Sequence, residues 1–483
     1  MHRAFAQGYR RKALVRATGL LIGTWGLTYT VVNRPVNLDA APPSRRDESH
    51  NDKHSFTKPT LLTQSLVASQ KPVSSFESSR KPNVDDKLRE FEQIHKAPPG
   101  AGISEYHVAE TTSNNPSEDD HAEAILPVPS GYWSLFGVYD GHAGWETSAW
   151  LRENLIVAVV SSLVDVYDRF HREALDEGVS MTTPGPKDIE TTFKDTFKDV
   201  DHHLIHERLQ QVLLDTSRQK AVNTLAPGWA GSCALLSFYD SDLKILHTAI
   251  TGDSRAILGR RVKDEDGKTS YSVHVLSTEQ DGKNISERER LAAEHPGETV
   301  VKHDRVLGIA VSRAFGDGRW KWSVEEQKML KEKYLGRSVL PGVKTPPYLT
   351  AEPEVTSIEI QPGDFLIMGT DGLWECLTSE DAVGLVGWWK DHSLKTSVAQ
   401  PDELPVQPKG NHSNDGPRYG QWNAKKEFIK TDDNAATHLI RNALGGSNTD
   451  LAAALFSLRA WSRTFRDDIT AVVVFFDDEK NAA

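Results

Sequence analysis

Cysteine is nearly missing from this sequence: Cys233 and Cys376 are the only two in 483 residues. That excludes a disulfide-stapled scaffold and an all-cysteine zinc site. It also excludes a cysteine-nucleophile phosphatase, which needs an arginine shortly downstream to hold phosphate; the residues standing there are Tyr239 and Ala382. Positive charge is short as well, with 56 Lys and Arg against 68 Asp and Glu and a net of −12. A general nucleic-acid binder would need the opposite balance. No glycine-rich loop carries Lys-Ser or Lys-Thr at phosphate-cradling spacing. Neither a His-Glu-x-x-His helix nor a Gly-x-Ser-x-Gly elbow occurs.

Acid is also missing locally. Up to Leu38 the chain has six basic residues (Arg3, Arg10, Arg11, Lys12, Arg16 and Arg34) and no Asp or Glu. An Arg-rich, acid-poor opening of this kind predicts a mitochondrial targeting segment over residues 1–38. The apolar stretch Gly19–Val32 is shorter than the roughly 20 residues a bilayer span needs, but Ala13–Val32, interrupted by Arg16, approaches it. A membrane anchor is therefore the alternative reading, with no second span downstream. Residues 39–102 open on Ser-, Pro-, Lys- and Asp-rich sequence with few aromatics and read as a disordered linker.

From about Ile103 to residue 477 the pattern is that of one folded domain. Short apolar runs predict strands at Tyr132–Tyr139, Ser232–Tyr239, Leu243–Ile250, Ala256–Gly259, Tyr271–Leu276, Asp364–Gly369 and Ile469–Phe476. Tight polar turns between neighbours predict hairpins and antiparallel pairing. Ile189, Phe193, Phe197, Val200 and Leu204 recur at helical spacing, and further helices are expected over Thr147–Ser162, after a Ser286/Glu289 capping box, and from Ser379. Strand-rich hairpins with helices in no strict alternation indicate an α+β fold of two stacked antiparallel sheets with helices outside. The charged stretch Ser323–Tyr334 and the polar stretch Thr396–Lys430 interrupt the rhythm, the latter as an expected surface insertion.

What is present in abundance is acid at strand ends. Asp140-Gly141-His142 closes one apolar run, Asp371-Gly372 another; Asp467-Asp468 opens a third, Gly252-Asp253-Ser254-Arg255 follows a fourth, and Glu118-Asp119 precedes the first. Asp-Gly is by itself an ordinary turn dipeptide, found six times here. Asp140 and Asp371 differ in abutting sequence that must be buried, where clustered carboxylates repel unless a cation sits between them. Oxygen ligands without a His/Cys cluster suit magnesium or manganese. Two such ions sharing a carboxylate can hold a water as hydroxide and aim it at a phosphoryl or carbonyl centre. His142 would then protonate a leaving oxygen, unless it is an exposed loop histidine. Periodicity does not select phosphate esters over other substrates.

These motifs resemble those of the metal-dependent Ser/Thr protein phosphatases of type 2C. The resemblance runs from about Ser104 to Phe476 and rests on Glu118-Asp119, Tyr139–Gly144, Gly231–Ala234, Gly252–Ala256, Ser312–Asp317, Thr370–Glu375 and Arg466–Thr470, in the family's order. It implies a four-layer α/β/β/α sandwich. It also implies two Mg2+ or Mn2+ ions bridged by Asp140, with the Gly141 carbonyl, Asp371 and Asp467 as further ligands. Glu118 and Asp119 match acids that orient the site, Asp253 an acid of a weaker third metal, and His142 the general acid. The implied reaction is hydrolysis of phosphoserine or phosphothreonine by metal-bound hydroxide.

Two positions depart from the family. Many members carry an arginine ahead of the Glu-Asp pair to grip substrate phosphate; here that position is Asn114, which leaves the substrate-binding residues unassigned. The residue after Asp467, often Asn, is Asp468. Both departures resemble the pyruvate dehydrogenase phosphatase subgroup. So do Glu294-His295-Pro296, Arg319-Trp320-Lys321-Trp322, Pro346–Glu354 and Asn434–Ile440. This subgroup is mitochondrial, so the resemblance implies a matrix enzyme acting on the pyruvate dehydrogenase complex, with the intermembrane-space face as the alternative if the N-terminus is an anchor. The candidate surfaces for gripping that partner are Arg319–Trp322, Ser323–Tyr334 and Thr396–Lys430; the first, with two cations and two tryptophans, is the expected grip, unless Trp320 and Trp322 are simply packed. Competing readings are a catalytically dead scaffold of the same fold, which loss of a metal aspartate would signal, and a general mitochondrial phosphatase with another substrate.

Overall fold

Eight consecutive buried residues, Ile469–Phe476, form a central strand. A strand with no polar face must have a layer packed on each side. The computed structural model, which describes residues 83–177, 183–214, 217–263, 267–391, 398–399, 403–407, 417–458 and 461–477, has those layers. Val472, Val474 and Phe476 share a core with Phe136, Val138, Leu235 and Leu246 of a second sheet. The alternate residues Ile469, Ala471, Val473 and Phe475 pack with Val383, Val386, Leu439 and Ile440 of two helices. The period of two along the strand makes that division.

The sheet containing this strand runs Gln93–Lys96, Ile103–Thr111, Ile469–Phe476, Phe365–Gly369, Arg255–Lys263, Thr269–Val275 and Val406–Gln407. All its pairings are antiparallel except the last, where Val406–Gln407 joins Thr269–Val275 in parallel. The second sheet runs Glu354–Glu359, Ile245–Thr251, Ala234–Asp240, Gly131–Tyr139 and Asp120–Val128. Helices Ser379–Asp391 and Ala435–Ala443 cover the first sheet. The long helices Glu146–Glu177 and Pro186–His202 cover the second, where Tyr167 packs on Trp133 and Phe193 meets Phe238 edge to face. The architecture is the expected four-layer α/β/β/α sandwich.

Several boundaries differ from expectation. Residues 39–102 read as linker, yet Asn83 caps a helix over Val84–Arg89, Leu88 is buried, and Gln93–Lys96 pairs at the sheet edge. Ile103–Thr111, Asp120–Val128 and Glu354–Glu359 form strands without a readable alternation. Ile103–Thr111, for example, buries His107 and Glu110 among its apolar residues. His107 is explained by its partner: Nδ1 accepts the backbone N–H of Ala435 at the start of a helix, and burial pushes its pKa down to about 4, keeping the ring a neutral acceptor. The expected Ser286/Glu289 box is displaced by Asn284, whose side chain accepts the Ser286 N–H and caps Ile285–Glu294. Thr396–Lys430 is not a surface insertion throughout, because Leu404, Val406, Tyr419 and Phe428 all join the core beneath Ser379–Asp391.

The targeting segment and the Ala13–Val32 stretch lie outside the described residues. Among the described residues no helix is long and apolar enough to cross a membrane.

Candidate metal centre and active site

Asp140 follows Gly131–Tyr139 in one sheet, and Asp371 follows Phe365–Gly369 in the other. Asp253 lies in the crossover from Ile245–Thr251 to Arg255–Lys263, where the chain changes sheets. Strand ends from both sheets thereby converge, and carboxylate oxygens of Asp140, Asp253 and Asp371 lie within 4.8 Å of one another. The Asp371 N–H donates to Asp140 Oδ2 at 3.3 Å. Asp253, expected as an ancillary acid, stands inside this tight set. Asp467 and Glu118 stand beside it, tied together by Arg463, whose Nη1 lies 3.4 Å from Asp467 and 2.7 Å from Glu118.

The glycines after Asp140 and Asp371 are there for space. A Cβ on Gly141 would sit 2.1 Å from the Glu118 carbonyl oxygen, and one on Gly372 would sit 2.1 Å from that of Asp468. Each Asp-Gly thus admits a second acid-bearing loop against the first, which a side chain would hold away.

Burial raises the pKa of Asp140 well above the usual carboxylate range, and the charges of Asp371, Asp119, Asp253 and Asp467 raise it further. Asp371 is raised likewise, by burial and then by Asp253 and Asp467. Asp253 and Asp467 are also raised, chiefly by burial, with Arg463 offsetting part of the effect at Asp467. Carboxylates that oppose each other's ionisation in this way fit a site for hard cations. The nearby sulfur does not act as a ligand: Cys233 is a thiol with a strongly raised pKa, donating to Asp253 Oδ1 at 3.1 Å.

Asp119 lies behind the cluster, buried, accepting hydrogen bonds from Thr370 and Thr470 at 2.9 Å each. The two departures from the family pattern prove to be one contact. Asn114 donates to Asp468 through its backbone N–H and its Nδ2, both at 2.9 Å, and Glu118 N–H donates to the same carboxylate at 2.9 Å. Burial opposes ionisation of Asp468, but these donors, with Ser113, hold its pKa below the usual value. Asn114 and Asp468 together pin the loop that presents Glu118.

His142 is ordered by a residue whose motif sequence reading noted without giving it a role. His142 Nε2 and Asp317 Oδ2 are 2.6 Å apart, and Asp317 is fully buried in a left-handed conformation. A three-stranded ribbon brings them together, Gly141–His142 pairing with Gly231–Ser232 and that in turn with Phe315–Gly316. Burial disfavours the imidazolium, but the Asp317 charge and hydrogen bond outweigh it and the His142 pKa is raised. The Phe-Gly-Asp run and its polar end were visible; their proximity to His142 was not.

The expected partner grip at Arg319–Trp322 is corrected. Lys321 is buried, donating to Asp201 Oδ2 and to the Ala314 carbonyl, both at 2.7 Å, while Asp201 Oδ1 accepts the Gly316 N–H at 2.9 Å. Trp322 is buried with its N–H on the Ile205 carbonyl, and Trp320 donates to the Val306 carbonyl. Lys321 and Trp322 therefore brace the turn that carries Asp317 and do not face a partner.

A converging set of partly buried acids at the edges of two stacked sheets, with an ordered histidine beside it, is the arrangement expected of a metal-dependent hydrolase of the sandwich class. The chain belongs to the protein phosphatase 2C family, whose match spans residues 111–401. A protein phosphatase 2C homolog of Schizosaccharomyces pombe is 40% identical over 405 residues, covering 82% of this chain and 85% of that protein. The mitochondrial pyruvate dehydrogenase (acetyl-transferring) phosphatase 1 of Saccharomyces cerevisiae is 37% identical over 426 residues, covering 82% and 72%. Among solved structures, a serine-threonine phosphatase 2C from Toxoplasma gondii aligns over 80% of this chain and 99% of its own, with TM-score 0.44 and 17% identity.

Proposed function

We propose that this protein is a mitochondrial matrix phosphatase that removes phosphate from serine of the pyruvate dehydrogenase complex. The observation that carries the chemistry is the convergence of Asp140, Asp253 and Asp371 oxygens within 4.8 Å. Asp140, the Gly141 carbonyl, Asp371 and Asp467 would hold two Mg2+ or Mn2+ ions, Asp253 would add a ligand for a third, and Glu118 and Asp119 would steady the set. The ions supply, when bound, the positive charge that activates water and neutralises the phosphate. His142 donates a proton to the departing serine oxygen. Its Nε2 is held by Asp317, which leaves Nδ1 for the substrate and favours the protonated ring.

Support for the substrate comes from the 37% identity to the yeast enzyme of that name, and support for location comes from the same relative together with the acid-free N-terminus. The deciding experiment supplies purified full-length protein with a phosphoserine peptide and with phosphorylated pyruvate dehydrogenase complex, with Mn2+ and with chelator. Metal-dependent release from both is expected. No release from either would leave a catalytically dead scaffold; release from the peptide alone would make the substrate another mitochondrial phosphoprotein.

A further inference from the structure

We propose that Arg463 receives the phosphoryl group of the substrate at the mouth of the carboxylate cluster, a role that rests on the phosphatase reading. Arg463 lies on the short helix Ser462–Phe465. Its Nη1 is anchored to Glu118 and Asp467, yet its side chain remains 46% exposed. One end of the guanidinium thus touches the metal-site acids while the rest faces an open space. That space is a cavity of about 540 Å3 whose wall includes Lys87, Ser113, Asn114, Phe456, Arg463 and Arg466.

Among the described residues, the charged groups of its wall are mostly cations: Glu90 is the one acid in it, and Lys87 pairs with that acid at 2.7 Å. Arg466 is only 5% exposed, donates through Nη2 to the Thr112 carbonyl and lies over the Phe456 ring, but its Nη1 finds no hydrogen-bond partner. A buried guanidinium nitrogen left unmatched is costly, and a ligand carrying negative oxygen would satisfy it.

Other cations near the cluster are committed elsewhere. Arg255 is held by Glu279 and Ser379 and lies over Trp374, while Arg418 pairs with Glu375. Asn114 is neutral, and its amide is taken by Glu118 and Asp468. Arg463 combines full charge, a planar fork suited to phosphate, and access. Its hold on Glu118 and Asp467 is strongest while those carboxylates carry unneutralised charge. Cations held by the acids would compete with the guanidinium for these carboxylates, leaving it able to meet a phosphate dianion.

The test compares full-length wild type, Arg463→Ala and Arg463→Lys. Calorimetry measures inorganic phosphate binding at saturating Mn2+, and kinetics on a phosphoserine peptide give KM, kcat and the Mn2+ concentration for half-maximal rate. Arg463→Ala should weaken phosphate binding and raise KM by about tenfold or more, since charge-assisted hydrogen bonds are lost. The Mn2+ requirement should not rise, because the guanidinium competes with cations for Glu118 and Asp467, and Lys should recover part of the affinity. Equal phosphate affinity in wild type and Arg463→Ala would overturn the proposal. So would a loss matched by an equal rise in Mn2+ requirement, because Arg463 would then only steady Glu118 and Asp467. If the wild type releases no phosphate, the phosphatase reading fails, while the phosphate titration still judges Arg463.

Discussion

Burial and four neighbouring carboxylates all oppose the charge of Asp140. Without metal, that charge destabilises the fold, so Asp140→Asn should melt at or above the wild-type temperature in chelator. With Mn2+ at about 100 times its dissociation constant, linkage adds about 2.7 kcal/mol to the wild type, a rise of several degrees. Asp140→Asn should show no such rise and no turnover. A thermal melt with and without Mn2+ reads both effects, and an unchanged Mn2+ response in the variant would remove Asp140 from the metal site. His142 is tested by its leaving group. His142→Ala should slow a phosphoserine peptide by about 10²–10⁴-fold and an aryl phosphate far less, because a phenolate departs without a proton donor. Equal losses on both substrates would give His142 a structural role. Replacing Lys321, by contrast, would tell little about partner recognition, because its buried ammonium braces the turn ahead of Asp317.

Among the elements, the helix Ile285–Glu294 fastens the Ser312–Arg313 segment to the body of the domain through one carboxylate. Glu287 is buried and takes hydrogen bonds from Arg313, Arg290 and Ser312. Burial would push its pKa up, but these three partners pull it down to about 2. A depressed acid stabilises the folded state above its ordinary value of 4.5, and that contribution is lost as pH falls towards 2. The wild type should therefore lose thermal stability across that window more steeply than Glu287→Gln. At neutral pH the variant should be less stable by on the order of 3 kcal/mol, since two arginines lose their counter-charge. Parallel slopes in melts at stepped pH would show that Glu287 is not the responsible group.

At the scale of the whole molecule, the catalytic domain and the N-terminus make separate demands. A basic, acid-free segment is drawn towards an inward-negative compartment, so residues 1–38 fused to a fluorescent reporter should carry it into mitochondria. Replacing Arg10, Arg11, Lys12 and Arg16 with Glu should leave the reporter in the cytosol. Imaging against a mitochondrial stain decides this, and cytosolic retention of the unaltered fusion would end the targeting reading.

Much of this protein was legible in one dimension because local signals were strong. The all-apolar run Ile469–Phe476 requires a layer on each face wherever it sits, and the helical spacing of Ile189, Phe193 and Phe197 marks a packed helix. Acids abutting such runs, at Asp140 and Asp371, must meet a compensating charge, which made an acidic cluster readable from the chain alone. Other features depend on segments far apart in the chain, and no local pattern encodes them. The strand Ile103–Thr111 was hidden because His107 is buried to accept the Ala435 N–H, a partner more than three hundred residues away. Tyr419 and Phe428 looked like parts of a polar loop until the fold closed over them. Asp317 reaches His142, Asn114 reaches Asp468, and Arg463 reaches Glu118 only because two sheets bring their strand ends to one edge. Sequence alone therefore determined which acids abut apolar runs and which runs must be buried, since both follow from residue type and spacing. The tertiary structure decided which acids share a site, which histidine partner sets its charge and which arginine stands at the mouth, because those are distances across the fold.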